Sequence, residues 1–216
     1  MVTLLIATHN PHKAAEIQSL LGLTYRCRHL AEFSNVPTVI EDGATFAGNA
    51  GKKALTLASW WKTTQTGSVV DFILADDSGL EVDALAGAPG VHSARFAALD
   101  SDVSGNATDA DNNAKLLRLL KGVPAEKRTA RFKCVMALLP THGTVATPEL
   151  FVGACEGRIA FECRGKGGFG YDPLFLPQGY DRTFAELGAA IKNQLSHRAR
   201  ALEHLKARLE ARASAT

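Results

Sequence analysis

The run Phe72-Ile-Leu-Ala-Asp-Asp-Ser-Gly-Leu80 constrains this chain more than any other stretch. Four apolar residues lead straight into two adjacent carboxylates, a serine and a glycine. The apolar run predicts a buried strand. Unpaired carboxylates at the edge of a core cost several kcal/mol, so the end of that strand needs something to compensate Asp76 and Asp77. Oxygen-only ligands select hard divalent ions such as Mg²⁺, which makes a cation the first partner to consider. A turn capped by the two aspartates, with Gly79 in a left-handed conformation, satisfies the same pattern.

The rest of the chain restricts the setting. Its 216 residues suffice for one sizeable core or two small lobes. A hydrophobic content of 46%, a charged content of 21% and a net charge of +2 describe an ordinary globular protein, not a nucleic-acid binder. No apolar run approaches a membrane span, and the start Met1-Val-Thr-Leu-Leu-Ile-Ala lacks the basic flank of a signal peptide. Cys27, Cys134, Cys155 and Cys163 form no CxxC pair and no zinc spacing, and read as reduced thiols of a cytoplasmic protein. Their spacing does not decide whether any two of them pair.

Strands and helices alternate, then strands follow in succession. A strand at Leu4–Ala7 leads through a turn into a helix from Lys13 to Leu21, closed by Gly22. Residues 36–43 are irregular, with Pro37 arguing against a central strand. A helix from about Thr45 to Lys62 turns Phe46, Ala50, Ala54, Leu57 and Trp61 to one face. Trp60 and Trp61 are core or interface filler, and their helix is a candidate dimer surface. Leu99 to Asp109 reads as a surface loop, and Asp111 to Lys121 as a helix. Ala130–Leu139 is a central strand, and Glu149–Arg164 one or two strands broken near Gly157. A glycine-rich loop over 165–172 precedes a short strand at Leu174–Leu176. A short helix near Phe184–Leu187 and a long one from Ser196, with a solvated basic outer face, complete a mixed α/β sheet in one domain or two lobes.

Four parts can carry chemistry. Thr8-His-Asn-Pro-His-Lys13 places a polar turn at a helix N-terminus, where free N–H groups and the helix dipole favour an anion and Lys13 adds a charge for a phosphate. The glycines of a Walker A loop are missing, and a plain N-cap is the simpler reading. Glu41 precedes a helix on which Asn49 and Lys53 share a face, which suits either a metal–phosphate site or a capping acid. Gly167-Gly-Phe-Gly-Tyr-Asp172 presents an aromatic between glycines, a platform for a flat base or a plain hairpin. Ser196-His-Arg198 puts two cations in a first helical turn, where the dipole disfavours them; donors aimed at a carbonyl acceptor would explain them.

Taken together and in this order, these parts resemble one family. The residues are Thr8-x-Asn10-x-x-Lys13, Glu41-x-Gly43-x-Thr45-Phe46-x-x-Asn49-Ala50, Ala75-Asp-Asp-Ser-Gly-Leu80, Gly87-Ala-Pro-Gly90 with Ser93-Ala-Arg95, Gly167-Gly-Phe-Gly-Tyr-Asp-Pro173, and Ser196-His-Arg198. The chain resembles the inosine triphosphate pyrophosphatases, which act on dITP, ITP and XTP, over nearly its whole length. The resemblance implies a single ITPase-like domain over 1–216. It also implies an elongated mixed sheet flanked by helices, with two lobes and the active site in the cleft between them, and a homodimer.

The implied reaction is Mg²⁺-dependent hydrolysis of the triphosphate between the α- and β-phosphorus, giving a monophosphate and pyrophosphate. Carried over by motif, Thr8, His9, Asn10, Pro11, His12 and Lys13 bind the triphosphate, with Lys53 nearby. Glu41 and Asp77 hold Mg²⁺, Asp77 also serves as general base, and Ser78 contacts substrate. Phe169 stacks on the base within the segment that includes Gly170 and Tyr171; Asp172 supports it, and Lys192, His197 and Arg198 help read it. Asp76 becomes a structural neighbour. Position 9 departs from the family in being His, and Gly188-Ala-Ala-Ile191 is less polar than its pattern. A related pyrophosphatase for modified pyrimidines, of the Maf-like kind, a nucleotide sensor without turnover and a nucleic-acid binder are the competing readings. Neither membrane nor nucleic acid is an expected partner.

Overall fold

The computed structural model describes residues 1–64, 69–100, 105–143 and 147–214. Six strands and five α-helices follow one another as β1 (Thr3–Ala7), α1 (Pro11–Leu21), β2 (Arg26–His29), α2 (Phe46–Thr64), β3 (Phe72–Val82), α3 (Asp109–Leu119), β4 (Thr129–Pro140), β5 (Glu149–Ile159), β6 (Phe175–Pro177), α4 (Phe184–Leu195) and α5 (His197–Ala213). The strands form one sheet in the order β2-β1-β3-β4-β5-β6. β1 pairs in parallel with both β2 and β3, while β5 and β6 are antiparallel, so the sheet is mixed, as expected.

The chain divides into two compact units. The first comprises 1–77, 134–153 and 201–216, the second 78–133 and 154–200. In the first, Leu4 and Ile6 of β1, Leu74 of β3 and Cys134, Met136 and Leu138 of β4 bury one sheet face against Ile17 and Leu21 of α1 and Ala201, Leu202, Leu205 and Leu209 of α5. The period of two along a strand selects these positions, and the helical period selects their partners. In the second, Leu80, Val82, Phe132, Cys155, Ile159, Tyr171, Phe175 and Phe184 form a separate core. Buried Arg128 ties this core together by donating to the carbonyls of Leu120, Ile159 and Ala160.

Several expectations are corrected. Residues 76–77 do not end a strand: β3 runs on to Val82, and no turn forms at Gly79. β2, a polar edge strand, had no apolar alternation to announce it. β5 is unbroken at Gly157, where a Cβ would meet the Leu176 carbonyl at 2.3 Å and the Phe175 ring at 2.6 Å. That glycine admits the backbone of β6 instead of interrupting a strand. Trp60 and Trp61, by contrast, are buried with their rings edge-on to Phe33, as core filler should be. The helix expected over 184–187 continues to Leu195 across a break at Gly188 (φ 78°).

The basic face of α5 is solvated at Arg200 and Arg208, and its side chains are also tethered. Arg200 donates to the Ala154 carbonyl, Lys206 to the Leu20 carbonyl at the end of α1, and Arg208 and Arg212 to Glu149. Cys27, Cys134, Cys155 and Cys163 form no disulfide with one another. Part of the loop expected over 99–109 lies outside the described residues. Among the described residues no helix is long and apolar enough to cross a membrane.

Gly157→Ala has no room for its methyl group. It should lower stability by about 1–3 kcal/mol in urea or thermal unfolding, because backbone rather than a flexible side-chain tip stands in the way.

Candidate active site

Adjacent residues on a strand point to opposite faces. Asp76 and Asp77 are therefore compensated separately. Asp76 faces α1 and β4. Its side chain is fully buried, Oδ1 accepts from Lys13 Nζ at 2.7 Å, and Oδ2 accepts from the Cys134 thiol at 3.1 Å. Lys13 can reach it because Asn10 starts α1 at the right place. The Asn10 Oδ1 caps the helix by accepting from the N–H groups of His12 (2.9 Å) and Lys13 (3.1 Å), and Pro11 fills the first helical position. Thr8 Oγ1 in turn accepts from Asn10 N at 3.1 Å. His9, Pro11 and His12 are exposed along this turn.

Asp77 faces α2. Lys53, buried on that helix, donates to Glu41 Oε2 at 3.0 Å and to the Asp76 carbonyl, and lies 3.9 Å from Asp77 Oδ1. Asn49, one turn earlier, hydrogen-bonds Asp77, and its Oδ1 accepts from Gly43 N at 2.8 Å. Gly43 is needed there, since a Cβ would sit 2.6 Å from Asn49 Oδ1. Asn49 thus joins the loop carrying Glu41 to the strand carrying Asp77.

Burial pushes the Asp77 carboxyl up to about 6. Lys53, Lys13 and the Asn49 hydrogen bond pull it down, and Glu41 pushes it further up. Desolvation wins over two nearby ammonium groups. Among the described residues no three His, Cys, Asp or Glu side chains gather as a metal cage. A pair of carboxylates, Glu41 and Asp77, converging on one lysine is the donor set a hard cation with water and phosphate ligands uses.

The second unit holds the other group. Asp172 is buried, and its Oδ2 accepts from both Phe169 N (2.9 Å) and Lys192 Nζ (2.6 Å). Lys192 Nζ also lies 4.3 Å from the centroid of the half-buried Phe169 ring, and the Arg198 guanidinium 6.0 Å from it. Arg198 is only 1% exposed and donates to Ser78 Oγ at 2.9 Å. His197 is buried with its ring stacked on Phe132 at 4.8 Å. Ser196 caps α5 by accepting from Ala199 N, so the cap offsets the two cations of its first turn. Beyond the break at Gly188, past the short helix expected over 184–187, α4 resumes and carries the buried Lys192.

Tyr171 belongs to the core, its hydroxyl donating to the Ser93 carbonyl at 2.8 Å. Gly168 cannot be replaced easily: φ is +75°, and a Cβ would fall 2.1 Å from Asp172 Oδ2. Sequence reasoning overlooked Cys134, Asp109 and Asn113. Gly170 N donates to Asp109 Oδ2 at 2.6 Å, and Gly170 O accepts from Asn113 Nδ2 at 2.9 Å. The only signal for the latter two was an acid and an amide four apart at a helix start, which reads equally as ordinary helix chemistry.

A family model described as the Ham1 family matches residues 4–208. The chain is 51% identical to a dITP/XTP pyrophosphatase of Desulforamulus reducens over 93% of its own length and 92% of that protein's. It is 45% identical to a dITP/XTP pyrophosphatase of Rhodopirellula baltica, covering 94% and 90%. Among solved structures, a HAM1 protein from Coxiella burnetii superposes with a TM-score of 0.79 at 42% identity, covering 98% of this chain and 100% of that one. A nucleoside-triphosphatase / dITP/XTP pyrophosphatase from Mycobacterium abscessus gives 0.70 at 38%, covering 94% and 98%. The chain belongs to the Ham1 family.

Proposed function

We propose that this protein hydrolyses non-standard purine nucleoside triphosphates, dITP, ITP and XTP, to the monophosphate and pyrophosphate. One observation carries the reading: Glu41 and Asp77 converge on Lys53, and the Asp77 carboxyl is held near the pH at which a general base works best. The names of the relatives point the same way.

In this reading the first unit handles the phosphates. The N-terminus of α1 and the donors of Thr8, Asn10, Lys13 and Lys53 bind them, with exposed His9, Pro11 and His12 shaping the turn. Glu41 and Asp77 would hold Mg²⁺, which neutralises phosphate charge and polarises the reacting phosphoryl group. Asp77 accepts a proton from the attacking water. The water oxygen bonds to the α-phosphorus as the bridging bond breaks, and pyrophosphate departs with its electron pair.

The second unit reads the base. Phe169 supplies a stacking face, fixed by Asp172 through its own N–H and by Gly170 on its other side. Lys192, His197 and Arg198 are buried donors for the O6 carbonyl of hypoxanthine or xanthine, while the amino group of adenine would leave them unmatched. Ser78, oriented by Arg198, adds a hydroxyl. A site built on such hydrogen bonds discriminates by roughly 10⁴. A homodimer remains part of the proposal.

Purified protein with Mg²⁺ is expected to release pyrophosphate from dITP and XTP, at least about 10³-fold faster than from dATP, dCTP or dTTP. Orthophosphate as first product, or equal turnover of pyrimidines, overturns the assignment.

Asp77→Asn should lower kcat by on the order of 10³-fold. It should also stabilise the metal-free protein. The folded-state pKa of about 6 lies above the unfolded value of ~3.9, so the folded state binds the extra proton between these values. The wild type therefore loses stability as pH rises through that window, and the variant does not; above pH ~7 it should unfold on the order of 1–3 kcal/mol later. Thermal unfolding in EDTA at several pH values measures this. Gly168→Ala displaces Asp172, and should raise KM for dITP at least tenfold with the protein still folded.

A further inference from the structure

Stacking energy alone does not order a loop made largely of glycine. The segment 165–172 contains Gly165, Gly168 and Gly170 with φ of 81°, 75° and 62°. Such residues lose more conformational freedom on ordering than any others. If the loop were ordered only on binding, each nucleotide would have to meet that cost. Instead, the residue following Phe169 is gripped on both of its backbone groups. Asp109 Oδ2 accepts from Gly170 N at 2.6 Å, and Asn113 Nδ2 donates to Gly170 O at 2.9 Å. The two side chains stand one helical turn apart on α3, so a single rigid element supplies both. The first bond is short and has a carboxylate oxygen as acceptor. Asn113 is buried, and its amide nitrogen is committed to the Gly170 carbonyl.

An acid in a first helical turn usually serves the helix dipole. Asp111, in the same turn of α3, does that kind of work: its carboxylate accepts from the Thr108 hydroxyl, and its N–H donates to the Thr108 side chain. Asp109 differs in reaching 61 residues along the chain to one amide.

We infer that Asp109 and Asn113 are positioning residues for base recognition: they clip Gly170 so that the Phe169 ring is set at one height and tilt before nucleotide arrives. The inference rests on the functional reading above. The clip includes none of the residues proposed to hold phosphate or metal, so its loss acts on KM and on base discrimination and leaves the chemical step alone.

Asp109→Ala, Asp109→Asn and Asp111→Ala separate these roles, Asp109 being exposed enough to change without emptying the core. Backbone amide exchange at Phe169 and Gly170 is measured without nucleotide, and kinetics with dITP and dATP follow. Asp109→Ala is expected to speed exchange at Gly170 about tenfold. It should raise KM for dITP about tenfold with kcat within twofold, and narrow the dITP/dATP preference. Asp109→Asn, which still offers an acceptor oxygen, should stay within about threefold of wild type, and Asp111→Ala should lower stability alone. Unchanged exchange and KM in Asp109→Ala, or loss confined to kcat, overturns the proposal; so does Asp109→Asn as impaired as Asp109→Ala. A wild type that does not turn over dITP refutes the functional reading, and the exchange measurement then decides the clip by itself.

Discussion

Two adjacent carboxylates in the middle of an unbroken, buried strand are what the first unit is arranged around. The pleat sends Asp76 to one face of the sheet and Asp77 to the other, so no single partner serves both. Each face must carry its own cation at a fixed height. This sets where α1 begins, because Lys13 must reach Asp76, and how α2 is rotated, because Lys53 and Asn49 must reach Asp77. The backbone participates as well: Lys53 spends one of its donors on the Asp76 carbonyl. The two lysines, of different helices, are thereby registered against consecutive residues of one strand.

The second unit meets an opposite demand. There a glycine-rich segment is held so that it presents one aromatic ring. Asp172 gathers Phe169 N and Lys192 onto a single oxygen, and Gly168 leaves the space in which it does so. Tyr171 anchors the same loop in the core through Ser93. Positive φ values make the turn possible, and hydrogen bonds at both sides of Phe169 remove the freedom those glycines bring. Cations packed over an aromatic ring and against one carboxylate form a fully engaged polar group, which is costly to leave half-satisfied and correspondingly specific.

Periodicity made α1, α2, α3, β1 and β4 legible, since each carries an apolar face of the right period. The motif residues were legible as types, and Glu41, Asn49 and Lys53 do share one neighbourhood. What escaped was decided by partners distant along the chain. β2 is polar and exists because β1 offers an edge. Gly157 looked like a break because nothing local announces that β6 presses on it. Cys134 looked like a plain core thiol, and its bond to Asp76 spans 58 residues. Asp76 and Asp77 look alike in local pattern; the resemblance set Asp76 aside as a structural neighbour, and the strand's continuation past them supplies the physical reason.

That separation bears on the proposed role of Asp77 as base and metal ligand. Asp76 has an ammonium of its own at 2.7 Å and a thiol on its other oxygen. Asp77 shares Lys53 with Glu41, and Lys53 is held at 3.9 Å by its bonds to Glu41 and to the Asp76 carbonyl. Two carboxylates thus divide one ammonium in a desolvated place, and the proton affinity of Asp77 rises accordingly. A direct Lys53–Asp77 contact would lower that affinity and satisfy the strand better, but it would make Asp77 a second Asp76: compensated, and a poorer base and metal ligand. The instability left at Asp77 is the feature through which the proposed reaction becomes possible, and the fully paired Asp76 beside it lets the strand tolerate it.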